Sequence, residues 1–285
     1  MRAAAVQLNS NEDTDRNLAT AERLTRGAAA DGAELVVLPE KFNVLGTHGH
    51  YEAGAESLEG RTVGWARELA RELGIDLVAG SIVERRDGHD KLANTSVHVG
   101  PDGALRGVYR KIHMFDVTVE GKEYRESTSQ AAGDEIVTSE AENARLGLTV
   151  CYDLRFPELY RILAIQGARI LIVPAAFTRH TGEAHWDTLL RARAIENQAF
   201  VIAADQIGVH PPDNESYGGS QILDPWGEVL VRASDSESAG AGLLPQECFV
   251  AADLDLARQD DIRATLPSLA NRVPSAYRWP QEIGV

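Results

Sequence analysis

One segment joins an apolar strand to a thiol, and it reads Leu146-Gly147-Leu148-Thr149-Val150-Cys151-Tyr152-Asp153-Leu154-Arg155-Phe156-Pro157-Glu158-Leu159. Residues suited to a buried strand run directly into Cys151, and a helix start follows at Pro157. This order predicts a thiol in a sharp turn at the carboxyl end of a strand, where a small molecule can reach it. A cysteine that serves only packing would more often lie inside the strand.

Two other segments also place a reactive side chain at the end of an apolar run. Residues 35–40 end on the carboxylate of Glu40, and residues 108–113 place Lys111 among basic and aromatic neighbours. A base, a cation and a thiol at three strand ends therefore predict one site.

The composition indicates a globular protein without a broad affinity for anions. Of the 285 residues, 44% are hydrophobic and 25% are charged, with 28 Lys and Arg against 43 Asp and Glu, a net charge of −15. General binding to nucleic acid or to an anionic membrane needs a basic surface, so neither is expected as a partner. An anionic small substrate stays possible if a local Arg or Lys receives it.

The number of cysteines and the first residues of the sequence indicate the cellular compartment. Only two cysteines, Cys151 and Cys248, are present, which gives no disulfide framework. The first residues lack the apolar core of a signal peptide, and no apolar run approaches the roughly 20 residues that span a bilayer. We therefore expect a cytoplasmic protein with Cys151 as a free thiol.

Apolar strand-like runs alternate with helix-like runs, which is typical of an α/β fold. Two hairpins are expected, with turns at 100–103 and 224–227, and surface loops at 211–216 and 234–242. The predicted strands are 2–8, 34–38, 76–83, 93–99, 105–110, 144–150, 168–173, 199–204, 220–223, 229–232 and 249–253. The predicted helices are 15–31, 62–73, 157–166 and 185–197.

These residue types permit a covalent reaction at a carbonyl carbon. Cys151 is a nucleophile once a base takes its proton, and no histidine lies near it in the sequence. Glu40 at an apolar strand end is expected to have a raised pKa and to act as that base. Lys111 and the backbone N–H of Tyr152 are expected to stabilise an oxyanion.

The pattern resembles the carbon–nitrogen hydrolase (nitrilase) superfamily over residues 1 to about 277. The three signature segments are Leu38-Pro39-Glu40, Tyr109-Arg110-Lys111-Ile112-His113 and the cysteine segment quoted first. Four others resemble the Nit branch, which includes deaminated glutathione amidases and ω-amidases: Phe115-Asp116-Val117, Gly182-Glu183-Ala184-His185-Trp186, residues 190–198 and Asp224-Pro225-Trp226-Gly227.

The resemblance implies a catalytic triad, a fold and an assembly. The triad maps onto Glu40, Lys111 and Cys151, and a second glutamate near the lysine maps onto Glu126, with Glu120 and Glu123 as alternatives in the same acidic loop. The implied fold is a four-layer α-β-β-α sandwich in a single domain, 1–277, with a C-terminal tail, 278–285. Subunits of such proteins pair through helical faces, so a homodimer or higher homo-oligomer is expected, without a cofactor.

The implied activity is hydrolysis of a small linear ω-amide, such as deaminated glutathione or α-ketoglutaramate, through a cysteine thioester. A carbamoylase or a nitrilase would use the same triad on another bond. A non-catalytic scaffold subunit is a third hypothesis, although all three triad residues are present.

Three residues are candidates for substrate binding, namely Tyr152, Arg155 and Phe177. Arg155 either holds a substrate carboxylate or pairs with Asp153 or Glu158, and Phe177 either lines the pocket or belongs to the core. No metal is expected, because histidines such as His48 and His50 have no carboxylate or thiol at ligand spacing. Cys248 is expected to be a packed thiol.

Overall fold

The computed structural model describes residues 1–119, 121–236 and 247–278. Its α-helices are α1 (Thr14–Ala30), α2 (His48–Gly54), α3 (Arg61–Leu73), α4 (Pro157–Ile165), α5 (Arg179–Asn197) and α6 (Leu256–Thr265). Its strands are β1 (Arg2–Gln7), β2 (Leu35–Val37), β3 (Asp76–Val78), β4 (Ile82–Glu84), β5 (Ala93–Val99), β6 (Leu105–Arg110), β7 (Asp116–Val119), β8 (Lys122–Arg125), β9 (Thr138–Glu140), β10 (Arg145–Leu148), β11 (Ile170–Ala175), β12 (Phe200–Asp205), β13 (Ile207–His210), β14 (Asn214–Tyr217), β15 (Gln221–Leu223), β16 (Val229–Arg232) and β17 (Cys248–Asp253).

Two large sheets form the centre of the molecule. The first has the order β17-β1-β2-β3-β5-β4, with β6 paired to β5, and the second has the order β16-β15-β12-β11-β10-β9. Parallel pairing joins β1 to β2 and β2 to β3 in the first sheet, and β10 to β11 and β11 to β12 in the second. The carboxyl ends of these parallel strands therefore lie at one edge of each sheet.

Each face of the first sheet belongs to a different core, as the two-residue period of a strand requires. In β1, Ala3 and Ala5 face the second sheet, while Ala4 and Val6 pack against α1 and α3. On the far side of the second sheet, α4 contributes Tyr160 and α5 contributes Trp186 to the same hydrophobic cluster. The result is the four-layer α-β-β-α sandwich, so the predicted fold class is confirmed.

A buried polar cluster also joins the two sheets. His98 on β5 contacts Asp76 Oδ1 on β3 across 3.0 Å and Ser139 Oγ on β9 across 2.7 Å. The residue types are those of a serine hydrolase triad, but all three are buried, with exposed fractions of 0 to 3%. Because no substrate can reach these buried residues, we interpret them as a hydrogen-bond network that joins the two sheets and not as a second active site.

The predicted strand 76–83 is wrong as a single element, because Gly80 interrupts it. Gly80 has a φ of +42°, and a Cβ on it would lie 1.9 Å from the Pro39 carbonyl oxygen. The chain therefore bends here, and the bend brings Ser81 Oγ within 3.0 Å of the Lys41 backbone N–H, which donates to it. The break thus supports the turn that follows Glu40.

Other boundaries differ from the prediction. Helix α5 begins six residues before the predicted start at 185, and the predicted loop 211–216 instead contains the start of β14, in a hairpin with β13. The positions 120, 237–242 of the predicted second loop, and 279–285 of the predicted tail lie outside the described residues. In the ranges that are described, no helix is both long and apolar enough to cross a membrane.

Candidate active site

The side chains of the site lie where strands of both sheets end. Glu40 follows β2, Lys111 follows β6 directly, and Cys151 begins a 3-10 turn, Cys151–Arg155, after β10. The predicted triad residues are all buried, with Cys151 the most exposed of them at 8%. Two sheets thus contribute to one cluster, as three strand-end residues in the sequence indicated.

Lys111 lies between two carboxylates. Its Nζ donates to Glu40 Oε1 at 3.0 Å and to Glu126 Oε2 at 2.8 Å. Glu123 is exposed and pairs with Arg125, and Glu120 is outside the described residues. Of the candidate acids that the structure describes, Glu126 is therefore the one that contacts the lysine.

Three donors fix the carboxylate of Glu40. Besides Lys111, Asn94 Nδ2 donates to Oε1 at 2.7 Å, and the backbone N–H of Ala176 donates to Oε2 at 2.9 Å. Ala176 follows β11, so a fourth strand end takes part in the site. The orientation of Glu40 is set by the fold rather than by the substrate.

Hydrogen bonds to Asp153 hold the turn that begins at Cys151. Cys151 has a φ of +50°, a left-handed conformation that is costly for a residue with a side chain. Asp153 Oδ2 accepts from the Val150 N–H at 2.8 Å and from the Tyr109 hydroxyl at 2.7 Å. Buried Arg193 on α5 donates to the Leu154 carbonyl at 2.7 Å. These contacts hold the strained turn in place.

The spacing of Arg193 and Glu196 on α5 alone predicts a surface ion pair, and that prediction is wrong for the location of Arg193. Its side chain is 5% exposed, and it pairs with Glu196 while also contacting the turn that begins at Cys151. The helix therefore supports the site directly.

The charge states follow from burial and from neighbouring charges. Burial acts to raise the pKa of Glu40, but the charges of Lys111 and Lys41 and the hydrogen bond with Cys151 hold this pKa below its ordinary value. The predicted raised pKa of Glu40 is therefore wrong, because two lysines outweigh desolvation. Glu40 is a carboxylate in the resting site.

Cys151 and Lys111 keep their protons at neutral pH. Burial, with the charge of Glu40, raises the pKa of the Cys151 thiol well above its ordinary value. Although burial lowers the pKa of Lys111, the charges of Glu126 and Glu40 raise it well above its usual range. The resting site thus contains a thiol beside a carboxylate, and proton transfer between them accompanies the attack on a substrate.

A cavity of about 440 Å³ opens above these groups. Its lining includes Glu40, Lys111, Glu126 and Cys151, and also the predicted substrate-binding residues Tyr152, Arg155 and Phe177. The guanidinium carbon of Arg155 lies 5.1 Å from the centre of the Phe177 ring and 5.8 Å from that of Tyr152. The seven predicted site residues therefore share one cavity.

Arg155 has no ion pair with a carboxylate among the described residues. Asp153 and Glu158, its possible partners in the sequence, do not contact it, and its polar contact is with His185 Nδ1 at 3.3 Å. Phe177 is 3% exposed, packs against Trp186 and also borders the cavity, so it belongs to both pocket and core.

Sequence reasoning missed three polar residues of the site, namely Lys41, Asn94 and Gln130. Lys41 Nζ donates to Glu126 Oε1 at 3.1 Å, and Asn94 Nδ2 approaches the same oxygen at 3.3 Å. The usable signal was the run of polar residues that follows Ala93 at the start of β5 and a lysine directly after Glu40. His48 and His50 lie on α2, and across the described residues no cluster of His, Cys, Asp and Glu is suited to a metal.

Comparison with known proteins identifies the family of the chain. The family model described as carbon-nitrogen hydrolase matches residues 2–264, so the chain belongs to the carbon–nitrogen hydrolase family, as its motifs implied. Omega-amidase NIT2 of Danio rerio is 38% identical over 277 residues, which cover 97% of this chain and 96% of that protein.

Two other relatives belong to the same group. Deaminated glutathione amidase of Synechocystis sp. is 39% identical over 275 residues, covering 95% of this chain and 97% of that protein. The crystal structure of Saccharomyces cerevisiae Nit3, a member of branch 10 of the nitrilase superfamily, matches with a TM-score of 0.82 at 30% identity and covers 94% of both chains.

Proposed function

We propose that this carbon–nitrogen hydrolase cleaves the amide C–N bond of a small linear ω-amide that carries a carboxylate, with deaminated glutathione and α-ketoglutaramate as the leading substrates. Glu40, Lys111 and Cys151 form the triad, and Glu126 supports the lysine. The observation that carries the proposal is the position of Lys111 Nζ, 3.0 Å from Glu40 and 2.8 Å from Glu126 in the cavity that Cys151 lines.

In the first step, the Cys151 thiol gives its proton to Glu40 as its sulfur bonds to the amide carbon. The negative charge of Glu40 thereby moves to the former carbonyl oxygen. Lys111 and the backbone N–H of Tyr152, which is the second residue of the 3-10 turn, stabilise this oxyanion. The raised pKa of the thiol fits this concerted transfer, since a free thiolate is unfavourable before the substrate arrives.

In the second step, the C–N bond breaks, and the proton on Glu40 leaves with ammonia. The product is a thioester between Cys151 and the acyl group. Glu40, again a carboxylate, then takes a proton from water, whose oxygen attacks the thioester carbon. The acid is released and the Cys151 thiol is restored, so the cycle consumes one water and needs no redox partner.

Arg155 supports a substrate with a distal carboxylate. Its guanidinium borders the cavity, stacks on Phe177 and forms no ion pair with a described carboxylate. A planar guanidinium held against an aromatic ring is preorganised to bind a carboxylate with two N–H groups. This local cation lets a protein of net charge −15 accept an anionic substrate.

The experiment measures ammonia release from deaminated glutathione and α-ketoglutaramate side by side. We expect turnover of at least one by the wild-type protein and by Cys248→Ala, a matched cysteine variant away from the cavity, and none by Cys151→Ala. Cys151-dependent release from carbamoyl or nitrile compounds instead of these amides would contradict the proposed substrate class.

We further propose that the chain forms a homodimer or higher homo-oligomer in a reducing compartment such as the cytoplasm. Ile162 and Ile165 on α4 and Ile195 on α5 expose 38%, 49% and 49% of their surface on the outer helical layer. Analytical ultracentrifugation tests the assembly, and a monomer at micromolar concentration would contradict it. The mechanism requires a free thiol, which supports the compartment.

A further inference from the structure

Lys41 is a second lysine in the charged cluster, and its backbone is strained. Its φ is +49°, a left-handed conformation that favours glycine, and its N–H donates to Ser81 Oγ at 3.0 Å. The side chain is 9% exposed. A lysine without a role in the cluster would more simply turn outward to water.

The buried ammonium of Lys41 has specific partners. Its Nζ donates to Glu126 Oε1 at 3.1 Å and lies 4.7 Å from the centre of the Tyr51 ring. With the side-chain amide of Gln130 in the orientation that satisfies its neighbours, the Gln130 oxygen accepts from Lys41 Nζ at 3.2 Å and its nitrogen donates to Glu126 Oε1 at 3.2 Å. Lys41 and Gln130 thus hold the same oxygen of Glu126.

The geometry points to Lys41 as a positioning residue of the hydrolytic site, which acts through Glu126 to leave one N–H of Lys111 available for the oxyanion. This inference rests on the proposed amide hydrolysis. Lys41 touches neither the thiol nor, in the proposed mechanism, the reacting atoms.

The number of donors on Lys111 supports this role. An ammonium has three N–H groups, and the described acceptors of Lys111 are Glu40 Oε1 and Glu126 Oε2. Because Lys41 serves Oε1 of Glu126, Lys111 needs to serve only Oε2. The third N–H of Lys111 remains for the substrate oxygen.

The charge of the cluster leads to the same conclusion. Glu40 and Glu126 balance Lys41 and Lys111 in the resting state, and Cys151 is neutral. When Glu40 is protonated and the oxyanion forms, the oxyanion and Glu126 again balance the two lysines. Without Lys41, the buried cluster would carry an excess negative charge at both stages, and a further anion beside it would be disfavoured.

The inference predicts a change in pH dependence. Removing Lys41 removes a positive charge that lowers the pKa of Glu40, so protonation of Glu40 would occur at higher pH. The groups facing Glu40 are Lys111, Lys41, Glu126, Cys151 and Asp205, and those facing Lys41 are Glu126, Tyr51, Glu40 and Lys111.

The test compares Lys41→Met with wild type in kcat and kcat/KM from pH 4.5 to 9, on whichever amide the wild-type protein turns over. We expect kcat to fall about 10- to 100-fold, which is less than the roughly 10²- to 10³-fold cost of removing an oxyanion donor itself, because Lys41 acts through Glu126. The acid limb of kcat/KM should move to higher pH. Arg61→Met, which removes an exposed cation paired with Asp15 on the surface, is the control and should leave both unchanged.

A double-mutant cycle separates positioning from a merely structural role. In a Glu126→Gln background, Lys41→Met should cost far less than in wild type, because its partner is already altered. Equal costs in both backgrounds, or a Lys41→Met variant with wild-type kcat and acid limb, would overturn the inference.

Two other variants keep the test valid if Lys41→Met does not fold. Lys41→Arg retains the charge and should keep the acid limb near wild type, whereas Lys41→Gln retains only a donor and should shift it. Identical profiles for these two would also overturn the role.

A measurement without turnover separates this inference from the proposed function. The rate of Cys151 alkylation by iodoacetamide across the same pH range, followed by mass spectrometry, reports proton removal by Glu40. If wild type shows no amide turnover, the proposed function fails, while a shifted alkylation profile in Lys41→Gln would still support Lys41 as a positioning residue. An unshifted profile would overturn it.

Discussion

The hydroxyl of Tyr109 donates a hydrogen bond of 2.7 Å to Oδ2 of Asp153, which links the strand before Lys111 to the turn that begins at Cys151. Both side chains are fully buried. Lys111 directly follows the strand that contains Tyr109, and the two residues are two positions apart, the spacing at which side chains of an extended chain point to the same side. Lys111 and the turn that begins at Cys151 are therefore positioned by a common hydrogen bond between the two sheets.

Replacing Tyr109 with Phe should lower both the free energy of unfolding and kcat. Losing a hydrogen bond to a buried carboxylate should lower the free energy of unfolding by about 1.5–3 kcal/mol. A small displacement of the Cys151 turn should also lower kcat, by up to about 100-fold. Urea unfolding and steady-state kinetics measure the two effects.

The control for this prediction is Tyr160→Phe. The Tyr160 hydroxyl is also buried and meets Thr149 Oγ1 at 2.8 Å, but it does not contact Asp153 in the hydrogen-bond network. Because this bond joins two neutral hydroxyls, we expect a loss of about 0.5–1.5 kcal/mol in the free energy of unfolding and a smaller loss of kcat. Equal kinetic losses in the two variants would argue against a special role for the bond between Tyr109 and Asp153.

Replacing Glu40 with Gln should remove the base without altering the shape of the site. Loss of a general base typically costs 10²- to 10⁴-fold in rate, so we expect about that decrease in kcat. Alkylation of Cys151 by iodoacetamide at pH 7 should also slow, because no group accepts its proton. Glu22→Gln, on the outer face of α1, should match wild type in both assays. Undiminished alkylation in Glu40→Gln would contradict a base role.

Replacing Glu126 with Gln should destabilise the protein in a pH-dependent way. The charges of Lys111 and Lys41 outweigh burial and hold the pKa of Glu126 well below its usual range. Such a carboxylate stabilises the fold above its unfolded pKa of about 4.3 and loses that contribution as the pH falls toward its folded pKa. We expect the variant to lose about 3–5 kcal/mol at pH 7, as for a broken buried ion pair.

Urea unfolding at pH 7, 5 and 3.5 checks this prediction. The difference between wild type and Glu126→Gln should be full at pH 7 and narrow only below about pH 4. Glu84→Gln is a suitable control, because Glu84 is buried against Arg110 away from Cys151. It should lose stability but keep its turnover, whereas Glu126→Gln should lose both. A difference independent of pH would mean that Glu126 contributes no ionic stabilisation.

Replacing Arg155 with Met should discriminate between substrates. A charge-assisted hydrogen bond contributes about 1.5–3 kcal/mol, so kcat/KM for a carboxylate-bearing amide should fall roughly 10- to 150-fold. Turnover of a neutral amide of similar length should change little. Arg191→Met, on the exposed face of α5, is the matched control. An equal loss on both amides would show that Arg155 shapes the turn instead of binding the substrate.

The residues that could be predicted are those whose signal is local. The hairpin of β5 and β6 follows from Pro and Gly in residues 100–103, and its strand bounds agree with the prediction. The positions of Glu40 and Cys151 could be predicted because each follows an apolar run, and that of Lys111 because it stands in the segment 108–113 among basic and aromatic residues. The two cores on either face of the first sheet follow from strands such as β1, which are apolar at successive positions and therefore bury both faces.

The properties that could not be predicted depend on contacts between distant segments. The prediction of a raised pKa for Glu40 was wrong because this pKa is lowered by two lysines, and no single segment of the sequence shows that both lie near Glu40. The break at Gly80 results from the closeness of Pro39, about forty positions earlier, and the role of Arg193 depends on its contact with Leu154. In each case the deciding neighbour is remote in the sequence.

The division of the site between two sheets has a consequence for how the chain acquires its activity. Glu40, Lys111 and Glu126 come from the half of the chain before residue 131, while Cys151 and Ala176 come from the half after it. Neither half contains both the proposed nucleophile and its proposed base. Hydrolysis through this site therefore requires both halves of the chain to be folded together. A nascent or cleaved chain with only one half would contain either the thiol without Glu40 or Glu40 without the thiol.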